Sequence, residues 1–175
     1  MDIILVNELD EPIGAMEKME VHQKALLHRA FSIFIFNSKN DMLLHKRAFG
    51  KYHSPGLWTN ACCSHPAPGQ SNLEAAEKRL QEEMGISTPL TKAFNFIYKA
   101  SFDNGLTEYE FDHVYAGEYE GDIFPNPEEV ENYSYLPVDE IRHSFSNNPG
   151  KYTAWFLLAF PKIIPWWAGH YPRKN

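Results

Sequence analysis

Residues 94–117 constrain this 175-residue chain more than any other stretch. FNFIYKASF (94–102) and TEYEFDHVYAG (107–117) are rich in β-branched and aromatic residues, and they flank Asp103-Asn104-Gly105, a tight-hairpin signal. A hairpin cannot shield its own apolar face, so the rest of the chain must add strands and a covering layer. FSIFIFN (31–37) and MLLHKRA (42–48), separated by the polar turn SKND, predict a further strand pair. Between the two pairs lies SNLEAAEKRLQEEMG, where Ser71 and Glu74 form a capping-box pattern and Gly85 a stop signal. That spacing predicts a helix with an apolar stripe of Leu73, Ala76, Leu80 and Met84. A proline-bounded loop, a short strand at 133–136 and a turn into a helix at Pro137 follow. The aromatic tail from Tyr152 predicts a helix that ends at Pro161. Strands and helices mix without regular βαβ alternation. The expected class is α+β, a mixed β-sheet with helices packed on it, in one domain spanning 1–175.

Charge and composition exclude several functions. The net charge is −7, and no Lys/Arg cluster is larger than the terminal pair Arg173-Lys174, so a nucleic-acid-binding face is not expected. The opening MDIILVNELDEP is acidic with a four-residue apolar run, which matches neither a signal nor a transit peptide and predicts a cytoplasmic protein. The longest apolar stretch, 154–160, is far short of the roughly 20 residues that span a bilayer, so no stable membrane insertion is expected. Nothing in the chain demands more than a monomer.

Both cysteines, Cys62 and Cys63, sit in LWTNACCSHP, read here as a loop. Neighbouring cysteines make a poor disulfide. They can be a buried apolar pair, half of a metal site with His65, or an acid/base or nucleophilic thiol beside its partner. On the helix, Glu83 lies about 60° from Leu80, on the shoulder of the stripe, while Glu82 faces solvent. Arg79, four residues before Glu83, can brace it. Glu108 and Glu110 in TEYEF project to one face of their strand, with Tyr109 and Phe111 opposite. Two carboxylates that close are comfortable only when solvated, or when a cation or proton holds them. His22 and His28 lie before the first expected strand. If the cysteine loop meets the Glu108/Glu110 strand, three imidazoles and two carboxylates could form an N/O site for a divalent ion.

LLHRAFS, SPGLWTN, NACCSHP and the hairpin carrying Glu-x-Glu, in this order, resemble the type 1 isopentenyl-diphosphate delta-isomerases, relatives of the Nudix hydrolases. The resemblance runs from about Asp2 into the aromatic tail. It implies a Nudix-like mixed β-sheet sandwiched between helices, and conversion of isopentenyl diphosphate into dimethylallyl diphosphate. It further implies Cys63 and Glu110 as the proton-exchanging pair, with Tyr98 assisting beside Glu110. Trp155 is then the aromatic face toward the reacting carbon, and Lys18, Arg47 and Lys51 are the cations that grip the diphosphate. His22, His28, His65, Glu108 and Glu110 match the family's metal ligands, for Mn²⁺, Zn²⁺ or Mg²⁺. Glu83 and Cys63 match the residues beside a Mg²⁺ bound to the diphosphate.

The hydrolase signature of the same superfamily is G-x5-E-x7-R-E-U-x-E-E-x-G-U, where U is bulky and aliphatic. Aligned on Glu82-Glu83-Met84-Gly85-Ile86, this chain has Ser64, Gln70, Lys78 and Arg79 in place of Gly, Glu, Arg and Glu. Too few carboxylates remain for a hydrolase's metal cluster. Diphosphate hydrolysis and non-catalytic metal or diphosphate binding stand as the alternatives.

Overall fold

The computed structural model describes residues 1–171; Arg173-Lys174 lies outside the described residues. Its strands are β1 (Asp2–Val6), β2 (Pro12–Glu17), β3 (His28–Phe36), β4 (Met42–Arg47), β5 (Trp58–Thr59), β6 (Cys62–Ser64), β7 (Thr91–Ser101), β8 (Thr107–Glu118) and β9 (Val130–Leu136). The α-helices are α1 (Lys18–Lys24), α2 (Asn72–Met84), α3 (Val138–Asn147) and α4 (Ala154–His170). All nine strands join one mixed sheet.

β3 is its spine. One edge runs parallel to β8 along the whole strand, from His28 opposite Glu110 to Phe36 opposite Glu118. The other edge is shared by β1 at Leu5–His28, β6 at Phe31–Ser64 to Ile33–Cys62, and β4 at Phe36–Met42. Three partners along one edge cannot lie in one plane, so the sheet curls. Side chains of β3 alternate between two buried layers. Phe31, Ile33 and Ile35 pack with Ala76, Leu80 and Met84 of α2. Phe34 and Phe36 pack with Phe156, Phe160 and Trp167 of α4. The sheet is therefore sandwiched between helices.

Ser71 caps α2 in a capping box with Glu74, and Gly85 ends it at φ 69°. The β7–β8 hairpin turns through Asp103-Asn104-Gly105, with Gly105 at φ 81°.

Several expectations need correction. Leu73 is 39% exposed, and the buried face of α2 is instead Ala75, Ala76, Leu80, Glu83 and Met84. His22 and His28 do not precede the first strand: β1 and β2 come earlier, joined by a turn in which Asn7 Oδ1 accepts the Leu9 and Glu11 N–H groups. LWTNACCSHP is not wholly loop, because pairing with β4 and β3 makes β5 and β6 of it. The strand pair 31–37 and 42–48 meets at Phe36–Met42, beyond which β4 pairs with β9 and β5. Finally, α4 runs on through Pro161 and Pro165. The two prolines are four apart on its exposed side, so the carbonyls they leave unpaired face water. Phe160, Ile163 and Trp167 hold the other side in the core.

Candidate active site

Strand alternation places Glu108, Glu110 and Asp112 of β8 on the α4 face of the sheet, beside His28 and Ser32 of β3. His22 reaches the same place from α1, whose N–H groups at Met19 and Glu20 are capped by the Glu17 carboxylate. His65 follows β6. The five residues His22, His28, His65, Glu108 and Glu110 are all buried, and each offers a ligand atom within 4.8 Å of the others. His22 Nε2 lies 3.3 Å from Glu108 Oε2, His28 Nε2 3.6 Å from Glu110 Oε1, and His65 Nε2 3.0 Å from Glu110 Oε1.

Hydrogen bonding shows why this cluster suits a cation. His22 Nδ1 donates to the Lys18 carbonyl at 2.5 Å and His28 Nδ1 to the Leu26 carbonyl at 2.9 Å. In a neutral ring the Nε2 lone pair then points at carboxylate oxygens, an unfavourable pairing in a dry site unless a positive charge lies between. His28 Nε2 is buried without a hydrogen-bond partner. Burial drives His65 down to about 3, so it is neutral and its Glu110 contact is not an ion pair. Burial opposes charge on Glu108 too, but contacts from Glu110, His22 and His53 outweigh it and hold this carboxyl well below its usual range. For His22 burial is likewise outweighed by Glu108, and its pKa is raised. Mixed imidazole and carboxylate donors can hold a divalent ion.

A second wall carries the thiol. Along β6, Cys62 turns into the α2 layer, fully buried among Ala75, Ala76 and Leu80, and Cys63 turns to the pocket. Cys63 S–H donates to Asn60 Oδ1 at 3.2 Å. The Asn60 amide is fixed by Nδ2 donations to the carbonyls of Ile33 (3.0 Å) and Cys62 (2.9 Å). Ser32 Oγ lies 3.4 Å from Cys63 Sγ and donates to Asp112 Oδ2 at 2.7 Å. Burial, then the charge of Asp112, pushes the Cys63 thiol well up, so it is protonated at neutral pH. Glu110 sits between His28 and Tyr98 in the strand register, and Tyr98 O–H donates to its Oε2 at 2.6 Å.

Trp155, in the first turn of α4, faces the same pocket, with the Arg47 guanidinium 5.2 Å from its ring. Lys18 and Lys51 also line the pocket. Lys18 lies over the Tyr52 ring, and burial lowers its pKa against the pull of Glu108. Lys51 is ion-paired with Glu129. Glu83 is not in the thiol pocket. It lies in an adjoining cleft that shares Lys18, Lys51, Cys63 and His65, and it accepts from Arg79 Nη2 at 2.5 Å. Glu82 is exposed, as its helix position predicts.

Sequence reasoning missed His53, Asp112, Asn60 and Glu129. Asp112 carried a signal, since the alternation that pairs Glu108 with Glu110 continues to 112. His53 and Glu129 lie on irregular connections, where no periodicity points to a direction.

The NUDIX domain profile matches residues 26–156. An isopentenyl-diphosphate delta-isomerase of Pectobacterium atrosepticum is 49% identical over 166 residues, covering 95% of this chain and 93% of the relative. One of Serratia proteamaculans is 50% identical over 155 residues, covering 89% and 87%. Among solved structures, a Deinococcus radiodurans protein superimposes with a TM-score of 0.79 at 16% identity, covering 94% of this chain and 99% of that one. A MutT protein of Methanosarcina mazei gives 0.65 at 19%, covering 78% and 92%. At such identities the structures speak for the fold alone.

Proposed function

The chain belongs to the Nudix family and, within it, to the isopentenyl-diphosphate delta-isomerases, and from that premise we propose how its residues divide the reaction. The enzyme interconverts isopentenyl and dimethylallyl diphosphate, moving a double bond from C3–C4 to C2–C3. One proton is added at C4 and another removed at C2, through a tertiary carbocation at C3. We assign the exchange to Cys63 and Glu110. Because the interconversion is reversible, each acts as acid in one direction and base in the other. The observation that carries this reading is a thiol bonded to Asn60 and a carboxylate hydrogen-bonded to Tyr98 lining one pocket with Trp155.

The Trp155 indole offers its π-face to the cation, an interaction worth about 2 kcal/mol when desolvated. Lys18, Arg47 and Lys51 anchor the diphosphate, which turns the prenyl end toward the proton donor. Lys51 must exchange Glu129 for the substrate to do so. His22, His28, His65, Glu108 and Glu110 would hold a divalent ion, taken as Mn²⁺, Zn²⁺ or Mg²⁺, whose charge would keep the Glu110 carboxylate in place. A Mg²⁺ carried by the diphosphate is assigned to Glu83 and Cys63. Hydrolysis is disfavoured because Arg79, standing where the hydrolase signature has Glu, neutralises Glu83 rather than adding a carboxylate. We read 1–175 as a single isomerase domain, monomeric and cytoplasmic; no helix among the described residues is long and apolar enough to cross a membrane.

Proton NMR of isopentenyl diphosphate with reduced protein and Mg²⁺ in D₂O tests this. Dimethylallyl diphosphate with deuterium in a methyl group and at C2 is the expected product. Released phosphate or pyrophosphate points to hydrolysis, and unchanged substrate to binding alone.

A further inference from the structure

His53 has no part in the assignments above, yet it is 6% exposed and lines the thiol pocket. We propose that His53 is a positioning residue that couples the anion-binding loop to the metal cluster through Glu108. This deepens the isomerase reading and rests on it in taking the anion for a diphosphate.

The connection between β4 and β5, residues 48–57, carries Lys51 two positions before His53. It folds inward through Ser54 at φ 49° and Gly56 at φ 71°. Gly56 holds a left-handed backbone conformation that a Cβ would strain, so glycine suits this tight return. Three contacts dock the loop on the hairpin end and α4. The His53 ring stacks on Phe102, with centroids 5.0 Å apart and planes at 9°. It meets Trp155 edge-on at 5.7 Å. Asn104 Nδ2, in the hairpin turn, donates to the Tyr52 carbonyl at 2.8 Å. Arg47 adds a bond from Nη2 to the His53 carbonyl at 3.2 Å.

So placed, His53 Nε2 lies 2.7 Å from Glu108 Oε1. Glu108 Oε2 faces the other way, 3.3 Å from His22 and 3.9 Å from His28. The carboxylate thus divides its oxygens, one held by the loop and one presented to the cluster. A ligand whose free oxygen is held keeps its orientation, and losing such a support typically lowers metal affinity 10- to 100-fold. The same docked loop sets where Lys51 sits. An anion that fixes Lys51 and an ion that fixes Glu108 therefore favour one loop conformation, and coupling of this kind acts in both directions.

The test is a Mn²⁺ titration of metal-free protein followed by electron paramagnetic resonance, which needs no turnover. His53→Phe keeps a ring on Phe102 and removes Nε2; it is expected to bind Mn²⁺ about 10- to 100-fold more weakly. His53→Gln, which keeps an N–H within reach of Glu108, is expected to recover most of that loss. Phe102→Leu undocks the loop without touching Glu108 and should weaken Mn²⁺ in the same direction, which keeps the test open if His53→Phe fails to fold. With saturating Mn²⁺, His53→Phe should regain kcat while KM for isopentenyl diphosphate stays raised. Wild-type Mn²⁺ affinity in a folded His53→Phe or Phe102→Leu variant overturns the proposal, as does a Gln variant as weak as Phe, or a wild-type protein that binds no Mn²⁺. Failure of the isomerase reading shows separately, as wild-type protein that binds Mn²⁺ but leaves the substrate unchanged.

Discussion

Cys62 and Cys63 are the same side chain one position apart, and the pleat of β6 sends one into the core and the other into the pocket. Cys63→Ala is therefore expected to cut turnover by about 10²- to 10⁴-fold, the usual worth of a general acid or base, with metal content and melting temperature little changed. Cys62→Ala should leave turnover within a few-fold. Equal damage from both would mean that the wrong sulfur carries the chemistry. Because burial raises the Cys63 pKa, its thiolate is scarce at pH 7 and grows about tenfold for each pH unit toward that raised value. Iodoacetamide should thus label Cys63 slowly at pH 7 and faster above pH 9, with isopentenyl diphosphate protecting. Rapid labelling at neutral pH, read by peptide mass spectrometry, would contradict the protonated thiol. The pairing of Glu108 with Glu110 was legible from spacing, and so was the lean of Glu83. The depth at which Glu108 and Glu110 are buried was not, because it depends on α1 and on loop 48–57 closing over them.

Secondary elements differ in how much of their cause is local. α2 and the β7–β8 hairpin carry their own punctuation in Ser71, Glu74, Gly85 and Asp103-Asn104-Gly105, and their sequence readings stand apart from Leu73. β5 and β6 have two and three residues, too few for any period, and exist because β4 and β3 offer them hydrogen bonds. α4 survives two prolines only because its apolar side is packed in the core, a fact outside its own sequence. Gly85 shows a local signal with a second, distant reason. A Cβ there would sit 2.8 Å from the Phe124 carbonyl oxygen, since the segment after β8 is stitched to the end of α2 by Phe124 N–H to Met84 O (3.1 Å) and Asn126 N–H to Glu83 O (2.8 Å). Gly85→Ala combines left-handed strain with that clash and should destabilise by about 1–3 kcal/mol, read as a lower urea midpoint. An unchanged midpoint would show that the segment yields freely.

The five clustered ligands are drawn from α1, β3, the stretch after β6, and β8, so an ion among them adds a tie between α1 and the ladder that already joins β3 to β8 and β6. Stripping the ion should lower the melting temperature. At a metal concentration 1,000-fold above Kd the linkage is about 4 kcal/mol, or on the order of 10 °C for a chain of this length. A melt that does not respond to chelator and added Mn²⁺ would mean the cluster holds no ion. The parallel ladder between β3 and β8 has a kinetic consequence as well. It pairs His28 with Glu110, partners far apart in sequence, and such non-local pairing makes for slow folding because a long loop must close before any contact rewards it. The helix α2 and the hairpin can form early from their own residues, whereas His28 and Glu110 meet only when the ladder zips. During synthesis the ribosome must deliver β8 before the pocket can exist, and a chain stalled ahead of it has most of its imidazoles but nowhere to put a metal.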